Sequence, residues 1–398
     1  MKFISRCLIA VCLAGILCSA LSAQTRARRS RSKVQPQIQT RLVDVEGRKL
    51  SLKVAGAGSP TVVLEYGLGG NATNWNNIFP EVARFTRVVA YDRAGYGKSE
   101  VGPEPRSQTQ LAKELHTLLH NAGIAPPYIL VGHSLGGANI RAFAYLFKEE
   151  IAGLVFVDPF NERVFSSQTK KQFDEAMAQQ DAALKGAPPG ARGEWKFIAS
   201  EAGNNFPQLR SYGSPPDVPM MILVSGRDRP PGWTTSVIEQ FTPWVTTAHE
   251  AGMVVSSDNP HNVMDADPAL IISSIRRVVF PSVQNVLERE IRDQGVYSAI
   301  ARYRQMRMRY PVEYFRERTL NQLGYQQLNA RHIQEAIALL KLNVEMYPHA
   351  FNTYDSLGEA YMVHGDRFLA IRNYRKSLAL NPQNTGAVEK LKQLKANP

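Results

Sequence analysis

Cysteine is nearly absent from this chain of 398 residues. Its three cysteines, Cys7, Cys12 and Cys18, all lie close to the N-terminus. A mature chain that has lost this segment contains no disulfide, no cysteine nucleophile and no thiolate metal site. Such a chain depends on its hydrophobic core for stability, and a protein of this length buries enough apolar surface for that.

Long apolar runs are also scarce, and the one near the N-terminus is short. Residues 7–21 are apolar or small, whereas a membrane-spanning helix needs about 20 such residues. Lys2 and Arg6 precede the run and small residues follow it, as in a secretory signal peptide. We therefore predict a signal peptide over residues 1–23, cleaved after Ala23, and an exported protein, periplasmic or secreted. Cleavage after Ala20, or retention of the segment as an anchor, stays open.

Acidic residues are outnumbered, with 35 Asp and Glu against 47 Lys and Arg and a formal net charge of +12. Part of the excess lies in residues 26–33, inside a polar stretch that shows no periodicity and contains Pro36. We interpret residues 24–39 as a disordered basic linker. No nucleic-acid-binding motif accompanies the charge, so no nucleic-acid partner is predicted.

From residue 40 onward, short apolar runs alternate with helical periodicity. An opening hairpin is predicted over 42–54, followed by strands at 61–66, 87–91, 128–131, 154–157, 221–224 and 253–256. Helices are predicted at 75–85, 107–121, 138–147, 234–247 and 268–279. This alternation predicts an α/β domain over 40–281 whose mostly parallel sheet is covered by helices on both faces. The alternation of strands and helices stops between residues 160 and 217, where we predict a helical lid over the sheet.

The segment 132–136, Gly-His-Ser-Leu-Gly, lies between a predicted strand and a predicted helix. Gly-x-Ser-x-Gly in that context is the nucleophile elbow, a turn tight enough to require small residues on both sides of the serine. The turn raises the Ser134 hydroxyl above the sheet edge and places it at a helix N-terminus. The backbone N–H of Leu135 then faces the oxyanion that develops during acyl transfer.

A serine nucleophile needs a histidine base and an acid that orients the histidine. His261 follows the last predicted strand, and Asp228 follows the strand at 221–224. We predict Ser134, His261 and Asp228 as the catalytic residues. Asp158 also ends a strand and is the alternative acid, whereas His133, beside the nucleophile, is expected to pack or line the site. We expect activity to fall below about pH 6 as the base protonates.

The elbow, the strand order and the insertion resemble the α/β-hydrolase superfamily over residues 39–281. The run 91–99, Tyr-Asp-Arg-Ala-Gly-Tyr-Gly-Lys-Ser, is similar to a loop of its lidded esterase and epoxide-hydrolase-like branch. The resemblance implies the chain order serine, acid, histidine, and it points to the backbone N–H of Leu68 as the second oxyanion donor. Within the loop, Asp92 and Arg93 are expected to hold their own turn.

Two positions decide what the resemblance implies for chemistry. Tyr66 stands where the family usually has a histidine, so the role of that side chain is lost or replaced. Ser134 stands where haloalkane dehalogenases and epoxide hydrolases of this fold use aspartate. Hydrolysis of an ester, thioester, lactone or amide, or acyl transfer, is expected instead. No metal and no organic cofactor is implied.

The C-terminal region, 282–398, is predicted to be all-helical and repetitive. Five positions recur 34 residues later: Leu320, Leu323, Gly324, Ala336 and Pro348 correspond to Tyr354, Leu357, Gly358, Ala370 and Pro382. This period and residue choice resemble tetratricopeptide repeats, and a degenerate unit over 299–311 precedes them. Two roles stay open: a stabilising or dimerising appendage, or a groove for a peptide or protein partner.

The sequence therefore predicts an exported serine hydrolase that cleaves a small-molecule carboxylic ester or related acyl compound, with a repeat domain for partner binding or oligomerisation. The alternative is a catalytically silent hydrolase-fold scaffold that acts through its repeats.

Overall fold

The structure is a computed structural model that describes residues 36–163, 170–204, 206–227, 229, 231–248, 250–310 and 312–395. The predicted signal peptide, most of the predicted linker and Asp228 lie outside the described residues. Among the described helices, none is both long and apolar enough to cross a membrane.

Eight strands of the described chain form one sheet in the order β1-β2-β4-β3-β5-β6-β7-β8. The strands are β1 Gln39–Val45, β2 Arg48–Ala55, β3 Thr61–Glu65, β4 Val88–Tyr91, β5 Tyr128–His133, β6 Ile151–Val157, β7 Met220–Ser225 and β8 Ala251–Ser256. β1 and β2 form an antiparallel hairpin, and β2 also pairs antiparallel with β4. The strands from β4 to β8 are parallel. The predicted α/β class with a mostly parallel sheet is confirmed.

Strand β5 shows why the sheet is covered on both faces. Every residue of the strand is buried, so it lacks the alternation of apolar and polar residues found in strands with one wet face. Successive side chains point to opposite faces, and Leu130 joins one core cluster while Ile129 and Val131 join the other. The strand therefore anchors both cores and ends at the elbow.

The helices of the α/β domain and its insertion are α1 Phe79–Ala83, α2 Gln108–Asn121, α3 Leu135–Leu146, α4 Lys170–Ala183, α5 Pro189–Ala202, α6 Pro207–Ser211, α7 Trp233–Thr247, α8 Val263–Ala266 and α9 Pro268–Val279. Helix α2 begins where the Ser107 side chain accepts a hydrogen bond from the Gln110 N–H, an N-cap typical of serine. Helices α4 to α6 lie in the insertion between β6 and β7, so the described part of the predicted lid is mostly helical.

The predicted helix at 75–85 is wrong in its extent. The segment contains a 3₁₀ turn, Ala72–Trp75, and then the separate short helix α1. Pro80 lies in the first turn of α1. Because proline has no N–H and clashes with the preceding turn, Pro80 favours a helix that begins beside it, as α1 does.

The C-terminal region is helical: α10 Val283–Gln294, α11 Val296–Arg309, α12 Glu317–Asn329, α13 Ile333–Met346, α14 Phe351–His364, α15 Arg367–Leu380 and α16 Thr385–Gln393. A β-carbon at Gly324 of α12 would lie 2.7 Å from the Leu340 side chain of α13. The equivalent atom at Gly358 of α14 would lie 3.1 Å from Tyr374 of α15. Two helix pairs 34 residues apart thus pack through the same small position, consistent with the predicted repeat.

Replacing Leu130 by alanine removes a fully buried side chain from the central strand. We expect this change to lower the free energy of unfolding by about 2–5 kcal/mol, because it leaves a cavity. Leu42→Ala is the control, since Leu42 is 57% exposed, and its effect is expected within about 0.5 kcal/mol. Urea denaturation followed by tryptophan fluorescence reports on the sheet and lid alone, because all tryptophans lie there: Trp75, Trp195, Trp233 and Trp244. Equal midpoints for both variants would contradict this core.

Candidate active site

The backbone of Ser134 is strained and firmly held. Its φ of 52° and ψ of −122° lie outside the regions that residues with a β-carbon normally adopt. Its N–H donates to the Val157 carbonyl at 3.1 Å, and its own carbonyl accepts from the Phe160 N–H at 2.9 Å. Both partners lie at the end of β6, so the neighbouring strand fixes the turn. Strain maintained in this way is typical of functional sites.

Two glycines allow the loop after β3 to pack directly on the elbow. A β-carbon at Gly136 would lie 2.4 Å from the Glu65 carbonyl oxygen and 2.8 Å from that of Tyr66. A β-carbon at Gly67 would lie 2.9 Å from the Ser134 β-carbon. All three distances are too short for real β-carbons, so only glycine permits this approach. The loop that carries Leu68 therefore lies beside the serine side chain.

His261 connects the serine to a carboxylate. Its Nε2 lies 3.0 Å from Ser134 Oγ, and its Nδ1 lies 2.6 Å from Asp158 Oδ2. The other carboxylate oxygen of Asp158 accepts the Ser225 N–H at 3.0 Å. With the proton assigned to Nδ1, the imidazole donates to Asp158 and leaves Nε2 free to accept the serine proton. The arrangement has the geometry of an activated serine nucleophile.

Of the two acids that the sequence left open, the structure describes only Asp158. Asp228 lies outside the described residues, so its assignment stays a prediction, whereas the alternative, Asp158, contacts His261 directly. Asp158 follows β6, which pairs with β5, while Asp228 follows β7, one strand further from the elbow. The sequence showed an aspartate after a buried strand at both positions. It did not show which of the two strands lies next to β5, and so it could not decide between the two acids.

Leu135 and Leu68, the predicted oxyanion donors, lie next in the chain to residues at the elbow contact, Ser134 and Gly67. Leu135 is the first residue of α3, where backbone N–H groups have no acceptor within the helix. Leu68 follows Gly67, whose backbone contacts Ser134. Among the described residues, no group of three or more His, Cys, Asp and Glu side chains is arranged to hold a metal ion.

A family profile described as alpha/beta hydrolase fold matches residues 60–194. The uncharacterized protein YqjL of Bacillus subtilis strain 168 is 36% identical over 233 residues, which cover 54% of this chain and 82% of YqjL. The chain belongs to the α/β-hydrolase-fold family.

Other matches are shorter or more distant. A probable transporter, EfuK of Hormonema carpetanum, is 33% identical over 132 residues, or 31% of this chain and 19% of the transporter. The solved structure of the epoxide hydrolase CorEH without ligand has a TM-score of 0.47 and 17% identity, covering 61% of this chain and 99% of CorEH. The chain spans less than half the length of several other curated relatives that it matches.

Tyr66, the departure from the family pattern, takes part in an aromatic cluster behind His261. Its ring centroid lies 4.7 Å from that of His133 and 5.8 Å from that of Trp75. The His133 ring lies 4.6 Å from the His261 ring, and its Nε2 lies 3.0 Å from the His261 carbonyl oxygen. Burial and the neighbouring His261 lower the pKa of His133 well below its ordinary value, so it is neutral and donates to that carbonyl. His133 thus packs behind the site, as predicted.

Arg229 is the residue at this site that sequence reasoning missed. Its guanidinium forms an ion pair with Asp158, and its Nη2 lies 2.6 Å from His261 Nδ1. The group also stacks on the Trp233 ring, 4.7 Å from the centroid. Burial and the positive charge of Arg229 lower the pKa of His261 to about 4. The imidazole is therefore neutral, and able to act as a base, at a lower pH than the sequence suggested.

Substituting Arg229 by glutamine is expected to raise the pKa of His261 toward its ordinary value. A base acts only when neutral, so activity falls as the pH drops through this pKa. Burial is the larger cause of the lowered pKa and persists in the variant, so the acid limb of the pH profile should move up by about one unit. The rate of covalent labelling by a fluorophosphonate, measured against pH, reports the limb in the free enzyme. Arg277→Gln, an exposed arginine on α9, is the control. An acid limb that stays in place in Arg229→Gln would contradict this account.

Proposed function

We propose that the protein is a serine hydrolase that cleaves a carboxylic ester or a related acyl compound through an acyl-enzyme intermediate. The observation that carries the proposal is the chain of contacts from Ser134 Oγ to His261 Nε2 and from His261 Nδ1 to Asp158. Such a chain lets a weak hydroxyl nucleophile lose its proton as it attacks. The elbow turn and the glycine-dependent loop beside it support the same conclusion.

In this mechanism Ser134 Oγ attacks the acyl carbon while its proton moves to His261 Nε2. The carbonyl oxygen becomes an oxyanion, which the N–H groups of Leu68 and Leu135 stabilise. The intermediate collapses when His261 returns the proton to the leaving oxygen or nitrogen, which gives the acyl-enzyme. A water molecule then repeats the sequence and releases the acid. Serine, rather than aspartate, at the elbow favours this acyl chemistry over epoxide opening.

We assign the acid of the mechanism to Asp158. Its carboxylate is 1% exposed, fixed by the Ser225 N–H and in contact with the imidazole. A buried, oriented carboxylate selects the tautomer and stabilises the imidazolium formed during attack. Asp158 orients the imidazole through Nδ1–H, whereas Nε2 faces the serine.

The remaining proposals concern location and the repeats. The apolar N-terminal run supports export, and N-terminal sequencing of exported protein distinguishes cleavage after Ala23 from cleavage after Ala20.

A groove of about 680 Å³ on the helices α14 and α15 supports binding of a protein or peptide partner, since Tyr354, Tyr361 and Arg372 line it. Size-exclusion chromatography with light scattering on the full chain tests the other role, oligomerisation.

Replacing Ser134 by alanine is expected to abolish labelling by a fluorophosphonate and to lower ester hydrolysis by roughly 10⁶-fold, because the nucleophile is lost. Ser273→Ala, an exposed serine on α9, should label like the wild type. Gel fluorescence measures the labelling, and a panel of esters, thioesters, lactones and amides measures turnover. A wild type that neither labels nor turns over any member of the panel would favour the catalytically silent scaffold.

The choice of acid is tested by two matched substitutions. Asp158→Asn should reduce kcat by roughly 10⁴-fold, because the amide no longer selects the productive tautomer. Asp228→Asn should change kcat by less than about tenfold. The reverse ranking in steady-state ester hydrolysis would return the role to Asp228.

A further inference from the structure

A buried arginine lies directly beneath the loop that carries Leu68. The Arg93 side chain is 4% exposed, and all five of its N–H groups have acceptors. Nη1 donates to Glu65 Oε1 at 2.9 Å and to the Tyr66 carbonyl at 2.5 Å. Nη2 donates to the Gly67 carbonyl at 2.9 Å, and Glu194 accepts the remaining bonds from Nη2 and Nε at 2.9 and 2.7 Å. The sequence predicted that Arg93 holds its own turn, whereas in the structure its side chain binds the carbonyls of the neighbouring loop.

The bond to the Gly67 carbonyl has a consequence for the next residue. The carbonyl of Gly67 and the N–H of Leu68 belong to the same planar, trans peptide unit, so they point in opposite directions. When Arg93 holds the carbonyl on one side, the Leu68 N–H is directed to the other. The second bond, to the Tyr66 carbonyl, fixes the preceding peptide plane as well. Arg93 therefore sets the orientation of the predicted oxyanion donor.

The lid supplies the carboxylate that holds Arg93 in place. Glu194 lies on α5, is fully buried, and also accepts a hydrogen bond from the Tyr96 hydroxyl at 2.7 Å. On the opposite side, Glu65 accepts a bond from Asn139 of α3 at 2.8 Å. A buried guanidinium is stable only when carboxylates compensate its charge and accept the bonds of its planar fork. Arg93 has two such carboxylates, Glu65 and Glu194. The contacts connect the lid, the loop after β3 and the helix that follows the nucleophile.

We propose that Arg93 and Glu194 are positioning residues, through which the seated lid directs the Leu68 N–H toward the oxyanion. The proposal rests on the serine hydrolase function proposed above. It differs from a purely structural role, in which the buried ion pair stabilises the fold and leaves transition-state binding unchanged. A second buried pair offers the comparison: Arg106 donates to Glu114 through two bonds of 2.7 and 2.9 Å, and in the part of the chain that the structure describes neither residue forms a hydrogen bond with the loop.

The experiment compares Glu194→Gln with Glu114→Gln in the full chain, using the best ester of the panel. Loss of one oxyanion donor typically costs about 10²–10³-fold in kcat, so a misdirected donor should cost about 10- to 100-fold. We expect this loss in Glu194→Gln, with KM changed less than about threefold. Glu114→Gln should keep the kcat of the wild type even where its melting temperature falls.

A transition-state mimic separates positioning from stability. Ser134 Oγ adds to the carbonyl carbon of a trifluoromethyl ketone, its proton moves to His261, and the former carbonyl oxygen becomes an oxyanion in the same place as in the reaction. The affinity for the ketone should fall in Glu194→Gln by the same factor as kcat/KM. The affinity for the product acid, which lacks the tetrahedral oxyanion, should change less than about threefold.

The outcomes are distinct. Wild-type kcat and ketone affinity in folded Glu194→Gln would overturn the positioning role while leaving the hydrolase function in place. A wild type without labelling or turnover would overturn the hydrolase function, and the positioning role with it. Should Glu194→Gln fail to fold, Tyr96→Phe removes only the hydroxyl that bonds Glu194. A loss of roughly threefold in both kcat and ketone affinity is expected there, and no loss in either would overturn the role.

Discussion

The close backbone approach between the loop after β3 and the start of α3 is the constraint on which the site depends. At Gly136 and Gly67 the two segments are so near that any β-carbon would collide with the other's backbone or with Ser134. This contact brings Ser134, the helix N-terminus and the second loop to one point. Hydrogen bonds from the end of β6 hold Ser134 in its strained conformation.

Sheet order determines which other side chains reach that point. β5 ends just before Ser134, and β3 and β6 pair with it on either side. The carboxyl end of β3 supplies the loop beside Ser134, and that of β6 supplies Asp158. His261 comes from beyond β8, three strands away, and crosses back over the edge of the sheet. The sequence predicts each strand from its apolar run and each loop from its position, but it does not state which strands are neighbours. For this reason the serine and histidine were predictable, while the acid stayed divided between Asp158 and Asp228.

The residues that sequence reasoning missed share one property, which is that their partners are distant in the chain. Arg93 and Glu194 are 101 positions apart, and Arg229 meets His261 across 32. Periodicity is a local signal, so it gave the helix Pro268–Val279 its correct bounds. A buried ion pair has no such local signature, and a lone glutamate in a lid looks like any solvated charge until the fold places an arginine beside it.

The energetics of buried charge suggest why this site contains charges at all. Moving an arginine and two glutamates out of water carries a desolvation penalty that roughly cancels their attraction, so an apolar cluster would stabilise the fold as well or better. An apolar cluster, however, has no donor for the Tyr66 carbonyl, and among the described residues it would leave the Gly67 carbonyl with only the long bond from the Gly70 N–H, at 3.4 Å. A guanidinium satisfies both carbonyls and fixes their directions with a planar fork. The charges at this position are therefore better explained by the geometry that they impose on the loop than by the stability that they add.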